Sequence, residues 1–256
     1  MENRNYEENI YVSRVELVSD VPEFSYLRRL PLIKNLKKAP INIQAPVTFF
    51  VGENGMGKST LIEAIAVFLG FNAEGGTMNF SFETRATHSE LYNHIIVSKT
   101  VHRKKQGFFL RAESFYNVAS YIDDLQSSGF NILGYYGGRS FHRQSHGESF
   151  LSLVANRFSG NGIYILDEPE AALSPNRLMY LMSLIDHLVK KGAQFIISTH
   201  SPILMTLPNS EIYELTSDSI EKVSYEETEH YIITKQFLDN PRRMLGYLGL
   251  KEKEEK

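Results

Sequence analysis

The chain of 256 residues contains no cysteine. Disulfides, thiolate-bound zinc and cysteine nucleophiles are therefore excluded, and a reducing cytoplasm is permitted without being required. Charge of one sign is also scarce in excess. The formal net charge is -3, so no whole-molecule field argues for nucleic acid or a membrane surface. No apolar run approaches the ~18 residues of a membrane span. The opening residues, MENRNYEENIYV, lack the apolar stretch of a signal peptide. The expectation is a cytoplasmic protein with no membrane segment of its own. If it works at a membrane, another chain supplies the span. Internal repeats and low-complexity linkers are missing too. What remains is 42% hydrophobic and 22% charged, a balance that suits one large α/β domain.

Apolar runs punctuate the chain. IYVSRVELV (10–18) alternates and reads as a half-exposed strand. Residues 21–46, with Pro22, Pro31, Pro40 and Pro46, read as loop. VTFFV (47–51), IYIL (163–166) and QFIIST (194–199) are apolar without alternation, as strands buried on both faces are. Helical spacing follows two of them: 58–71 after the first, 176–192 after the second. Further helices are expected at 114–125 and 148–158. IIVSKTVHR and GFFLRA read as two strands around a turn at Lys105-Gln106-Gly107. Residues 134–144 read as loop, and 72–95 as ambiguous. EIYEL and IEKVSYE could pair as a hairpin, QFLDNPRRMLGYL reads as a terminal helix broken at Pro241, and KEKEEK as a solvated tail. Buried strands alternating with helices imply an α/β fold with a mostly parallel core sheet, whose ligands gather at the carboxyl ends of its strands.

Three chemical segments stand at such ends. GENGMGKST follows VTFFV and fills the pattern G-x-x-x-x-G-K-S with Gly52, Gly57, Lys58 and Ser59. Glycines let the backbone approach phosphate oxygens, and the loop and first helical turn aim N–H groups at them. Residues Gly52, Glu53, Asn54, Gly55, Met56, Gly57, Lys58, Ser59 and Thr60 are thus the candidate nucleotide-binding loop. Lys58 would reach the β- and γ-phosphates and Ser59 would ligate Mg²⁺. YILDEPE places Asp167 and Glu168 at the tip of the second strand, where carboxylates are costly unless satisfied. Asp167 suits Mg²⁺ or its water, and Glu168 suits the polarisation of an attacking water. STHSP puts His200 at the end of the third strand, able to hydrogen-bond a terminal phosphate or the water. His88, His94, His102, His142, His187 and His230 lack such a setting and read as surface residues.

With these segments in order the chain resembles the ATP-binding-cassette (ABC) ATPases. Ala172, Leu173 and Ser174 stand where that family has its D-loop. Ser145, His146, Gly147 and Glu148 stand on the Ser-Gly-Gly-Gln positions of its signature, with only Ser145 and Gly147 matching outright. More narrowly, the chain resembles a compact group of soluble bacterial AAA/ABC-like ATPases carrying FNAEGG, GFFLRAESF, QSHGESF, LDEPEAALSP and THSPIL. The resemblance implies a P-loop NTPase fold of one domain over 1–256. That fold would have an antiparallel β portion, a small helical lobe near 112–150 carrying the signature, and a C-terminal hairpin and helix extension near 210–250. It implies ATP and Mg²⁺ as ligands, with Glu168, His200 and Lys58 as the catalytic set. Where transporter subunits carry a glutamine loop, this chain offers Glu113 as a metal- or water-linked group, while Gln106 sits in the turn. Tyr26 and Phe24 are candidates for stacking on adenine, or for packing alone.

The same resemblance implies a homodimer on ATP binding, in which the signature of one subunit meets the γ-phosphate held by the other. The expected activity is ATP hydrolysis that switches a macromolecular partner, with DNA or a DNA-acting protein as the candidate. The alternatives are the ATP-binding subunit of a membrane transporter, and an ATP-gated interaction module with incidental turnover. The basic stretches at 28–38 and 102–105 read first as solvated faces. Between Lys58 and Ser145 there is no room for long coiled-coil arms.

Overall fold

The continuous apolar runs form the centre of the molecule, because each must bury both of its faces. A computed structural model of the chain describes residues 9–78, 89–102, 104, 106–127, 134 and 144–250. Its main sheet has six strands in the order β5 (Gln106–Arg111), β6 (Gly162–Asp167), β7 (Gln194–Ser198), β3 (Val47–Val51), β8 (Ser210–Leu215) and β9 (Ile220–Val223). The first five are parallel to one another, and β9 closes the edge antiparallel to β8. A second sheet of three antiparallel strands has the order β2 (Ile41–Asn42), β1 (Val12–Leu17), β4 (Ile95–Lys99).

Neighbouring residues of the core strands feed two different cores. Phe49, Phe108, Tyr164, Leu166, Phe195 and Ile197 face α3 (Phe115–Ser127), α4 (His146–Arg157) and α5 (Pro175–Val189). Phe50, Phe109, Ile163, Ile165 and Ile196 face α2 (Lys58–Phe68), α1 (Pro31–Leu36) and the three-stranded sheet. The period of two thus persists inside strands that show no polar alternation, since both faces are covered. Gln194, fully buried, ties the sheets together. Its side-chain oxygen accepts from the N–H groups of Tyr11 and Val12 at 2.8 and 2.9 Å, and its amide donates to Val12 O at 2.9 Å.

Several elements depart from the sequence expectation. Residues 21–46 are not one loop: Ser25 caps a short 3-10 turn at Tyr26–Arg29, Pro31 opens α1 as its first residue, and Ile41–Asn42 pairs with β1. Proline punctuates here by starting a helix, where its missing N–H costs nothing. The two strands around residue 105 do not pair with each other. β4 joins the three-stranded sheet and β5 joins β6, so Gln106 is the first residue of a strand rather than part of a turn. The hairpin at 210–223 forms, and β8 is also hydrogen-bonded to β3 inside the core sheet. The terminal helix breaks at Pro241 as expected, into α6 (Glu229–Asp239) and α7 (Pro241–Tyr247). Most of 134–144, much of 72–95, and the tail 251–256 lie outside the described residues.

Candidate functional site

Four adjacent strands, β5, β6, β7 and β3, deliver their carboxyl ends to one edge of the sheet, and every chemical segment singled out in the core hangs from one of them. After β3 the chain turns at Gly52, with φ of +132°. A Cβ there would lie 2.2 Å from the carbonyl oxygen of Leu215 at the end of β8, so only glycine lets the loop pass. Gly57, at φ +101°, occupies the N-cap position of α2, and no side chain caps that helix. The first N–H groups of α2 are therefore left for an anion. Lys58, the first helical residue, is buried. Its ammonium donates to the carbonyls of Gly52 and Glu53 at 2.7 and 2.9 Å. Burial lowers its pKa, against the opposing pull of Glu168, Asp167 and Glu170.

The register of the parallel strands lays out the acidic half. Arg111, Asp167 and Ser198 are register partners across β5, β6 and β7. Ser198 donates its hydroxyl to Asp167 Oδ1 at 2.5 Å, and Arg111 Nε lies 3.3 Å from Asp167 Oδ2. Arg111 also bonds Glu63 of α2 at 2.6 Å, and Glu63 accepts the N–H of Ser89 at 2.7 Å. One guanidinium thus joins α2, β5 and β6 through two largely buried carboxylates.

Glu168 follows with φ 49° and ψ 53°, a left-handed conformation rare for a residue with a side chain. Its N–H is held by Ser198 O at 3.1 Å, and strain kept in this way clusters at functional sites. Burial and the neighbouring Asp167 raise the Glu168 pKa, with Lys58 opposing and Glu113 adding to the rise. A carboxylate so placed is more basic than a free glutamate. His200 Nε2 lies 3.4 Å from Glu168 Oε1. The His200 backbone N–H donates to Glu170 Oε1 at 2.5 Å, fastening the turn after β7 to the turn after β6. Burial, with Lys58 and His230 nearby, lowers the His200 pKa to about 4, so the ring is neutral near pH 7.

Ser59, Glu113, His146, Asp167, Glu168 and Ala172 line one hollow of about 200 Å³. Magnesium characteristically keeps several waters and takes one or two carboxylates together with phosphate oxygens. The oxygen donors Ser59, Asp167 and Glu113 fit that habit. Among the described residues no cluster of three or more His, Asp or Glu side chains could cage a metal unaided.

The signature-like residues have local duties as well. Ser145 caps α4, and Glu148 returns to Ser145 N and Oγ at 3.0 and 2.7 Å, a capping box. Arg177 of α5 braces both, at 3.1 Å from Ser145 Oγ and 3.0 Å from Glu148 Oε1. A Cβ on Gly147 would meet Ala172 O at 2.7 Å, so glycine is needed for α4 to rest on the 172–174 turn. Helix capping and close packing account for these residues without any partner subunit. His146, packed edge-on against Phe115, borders the same hollow as Ser59 and Glu168.

Other expected residues are placed plainly. Phe24 and Tyr26 are exposed, with no aromatic partner among the described residues. Arg28, Lys34 and Lys37 pair with Glu23, Asp218 and Asp20, so much of that basic stretch is neutralised where it stands. Lys104 donates to Gly192 O at 2.8 Å, and burial brings its pKa down to about 8. Arg103 and Lys105 lie outside the described residues.

Sequence reasoning missed four neighbours: Arg111, Glu170, Ser198 and His230. His230 is a correction, since it is not a surface residue. It is half-buried and its Nε2 lies 2.8 Å from His200 Nδ1. Arg111 and Ser198 carried a usable signal, because aligning the ends of the core strands puts both beside Asp167. His230 carried none, being 30 residues from His200 on a helix with no chemical motif of its own.

The chain is similar to several known proteins. The family model described as "AAA domain, putative AbiEii toxin, Type IV TA system" matches residues 93–206, and a second AAA-domain model matches residues 32–146. The ribose import ATP-binding protein RbsA of Bacillus cereus is 27% identical over 186 residues, covering 64% of this chain and 36% of the relative. A second strain's RbsA gives 27% over 190 residues, so the chain spans about a third of the length of the curated relatives it matches. Among solved structures, cbiO1 from Clostridium perfringens, described as part of an ABC transporter complex, aligns at a TM-score of 0.48 and 20% identity, over 93% of this chain and 98% of that one. The SMC head domain from Thermotoga maritima aligns at 0.43 and 16%, over 84% and 98%. These scores carry no argument of their own. The chain is thus similar to AAA-domain proteins between residues 32 and 206, and to curated proteins named as ATP-binding.

Proposed function

We propose that the edge formed by β3, β6 and β7 binds ATP and hydrolyses its terminal phosphate. The observation that carries this reading is the convergence, on adjacent strands, of an uncapped helix start with Lys58, a strained and basic Glu168, and a neutral His200. The loop 52–60 would cradle the phosphates with its N–H groups. Lys58, released from the Gly52 and Glu53 carbonyls, would take the β- and γ-oxygens. Ser59 and Asp167, with Glu113 at the rim, would hold Mg²⁺, which supplies charge neutralisation between the phosphates when bound. Arg111 and Ser198 orient Asp167 for that task. Glu168 would accept a proton from the attacking water, and its raised pKa makes it a stronger base than a free glutamate. His200 would steady the terminal phosphate as a hydrogen-bond donor.

Two copies facing each other across two ATP molecules is the assembly this reading favours. In such a pair the start of each copy's α4, where His146 stands, would face the phosphates held by the other. The output would be a switch of contacts on a macromolecular partner as ATP is bound and cleaved. The local neutralisation of Arg28, Lys34 and Lys37 gives DNA no particular support. A second reading, an ATP-binding subunit acting with a membrane partner, is favoured by the match to relatives named for ribose import.

The test is Glu168→Gln with saturating Mg-ATP, followed by light scattering and retained nucleotide. The expected result is a stable pair of chains holding one ATP each. A monomer under those conditions contradicts the paired assembly, and a variant without bound ATP contradicts the site.

A further inference from the structure

His230 comes to the nucleotide site from the C-terminal segment, whose sequence gave no reason for it to be there. It sits in the first turn of α6, whose start is firmly placed. Thr228 is fully buried as the N-cap. Its hydroxyl accepts the N–H of Tyr231 at 3.3 Å and donates to Tyr225 O at 2.8 Å. The N–H of Glu229 donates to Glu214 Oε1 on β8 at 3.0 Å, and the rings of Tyr225 and Tyr231 pack at a tilt with centroids 4.6 Å apart. From that anchorage the His230 ring meets the His200 ring at a centroid separation of 5.0 Å, with Nε2 and Nδ1 2.8 Å apart.

We propose that His230 is a positioning residue: its Nε2–H donates to His200 Nδ1 and so holds His200 in the tautomer whose Nε2–H faces Glu168. This rests on the reading of His200 as a donor to the terminal phosphate. Two neutral imidazoles share one hydrogen, and two observations decide which ring carries it. If His200 held it on Nδ1, the bare Nε2 lone pair would face the Glu168 carboxylate, 3.4 Å away. His230 would then carry its own hydrogen on Nδ1, a buried atom with no hydrogen-bond partner. A buried donor without a partner is costly, and less so where a carboxylate lies beside it. With the hydrogen on His230 Nε2, the N–H without a hydrogen bond is that of His200 Nε2, which faces the Glu168 carboxylate 3.4 Å away, whereas His230 Nδ1 has no such ion-pair partner. Burial lowers the pKa of each ring, which keeps the pair neutral near pH 7.

The tautomer set by the second nitrogen's hydrogen bond is what lets a histidine act in one sense rather than the other. Here that second bond comes from α6, so the C-terminal helix is wired to the reaction centre through one ring.

The full chain labelled with ¹⁵N-histidine, read by NMR of the ring nitrogens, tests this directly and without turnover. In the native chain His200 is expected as the Nε2–H tautomer, and in His230→Phe as a mixture of the two. His230→Gln, whose amide N–H can reach the same nitrogen, should restore the native pattern. In steady-state ATP hydrolysis His230→Phe should lower kcat by about tenfold at unchanged KM for ATP, with His230→Gln within about threefold of native. Unfolding curves for the three proteins separate a loss of structure from a loss of positioning. A His200 tautomer unchanged in His230→Phe, or a His230→Gln as impaired as the Phe variant, overturns the proposal. A native chain with no ATP turnover contradicts the proposed function instead, and the tautomer result still decides this one.

Discussion

Lys58 is held in reserve by the loop it belongs to. Its ammonium is buried and occupied by two backbone carbonyls, within reach of three carboxylates that favour its charge. Exchange of those carbonyls for phosphate oxygens keeps the lysine's hydrogen bonds and adds a full opposing charge. Lys58→Ala should therefore weaken ATP binding by about a hundredfold in titration calorimetry, and unchanged affinity would remove the loop from the site. His200 supports a pH prediction. Its folded pKa is about 4, below the ordinary 6.5, and His230 is shifted the same way. Between those values the unfolded chain binds protons that the folded chain refuses, so stability rises with pH through that window and falls as the solution is acidified from about 6.5 toward 4. His200→Gln should flatten part of that slope in denaturant unfolding at pH 7 and pH 5. An identical slope in the variant would contradict the neutral, buried ring.

Elements matter through what their ends present. α2 begins without a side-chain cap, whereas α4 begins with a capping box braced by Arg177. The first leaves its N–H groups for a ligand, and the second satisfies its own. Arg111 is the clearest case of an element end supporting the site, because it pairs with Glu63 and Asp167, both largely shielded from water. Arg111→Leu strands two carboxylates and should cost about 3 kcal/mol of stability, read from the denaturation midpoint. A variant as stable as the native chain would show that the pairs are solvent-screened. This is also the scale at which the sequence was most and least readable. VTFFV, IYIL and QFIIST announced buried strands through apolar runs of the right length, and GENGMGKST announced a strand-to-helix turn through its glycines. α1 was hidden because prolines at 22, 31 and 40 read as breakers while one of them in fact starts a helix. The separate destinations of β4 and β5 were hidden because pairing is decided by tertiary contacts, which a local turn pattern does not encode.

On the scale of the whole molecule, two cores grip one parallel sheet from opposite sides and leave its carboxyl edge open. The position of Asp167, Glu168 and His200 along that edge follows from strand order, β6-β7-β3, which no single segment of sequence states. The motifs could be read one by one, but their adjacency could not, and neither could the return of the chain at His230. Charge at this scale is modest and locally paired, so assembly is expected to be governed by nucleotide rather than by a standing electrostatic field. The central claim is that this edge cleaves ATP with Glu168 as the base. Phosphate release from Mg-ATP, native chain against Glu168→Gln, tests it most directly. Turnover is expected in the native chain, with a loss on the order of 10²- to 10⁴-fold in the variant and ATP still bound. A variant that releases phosphate at the native rate would contradict it.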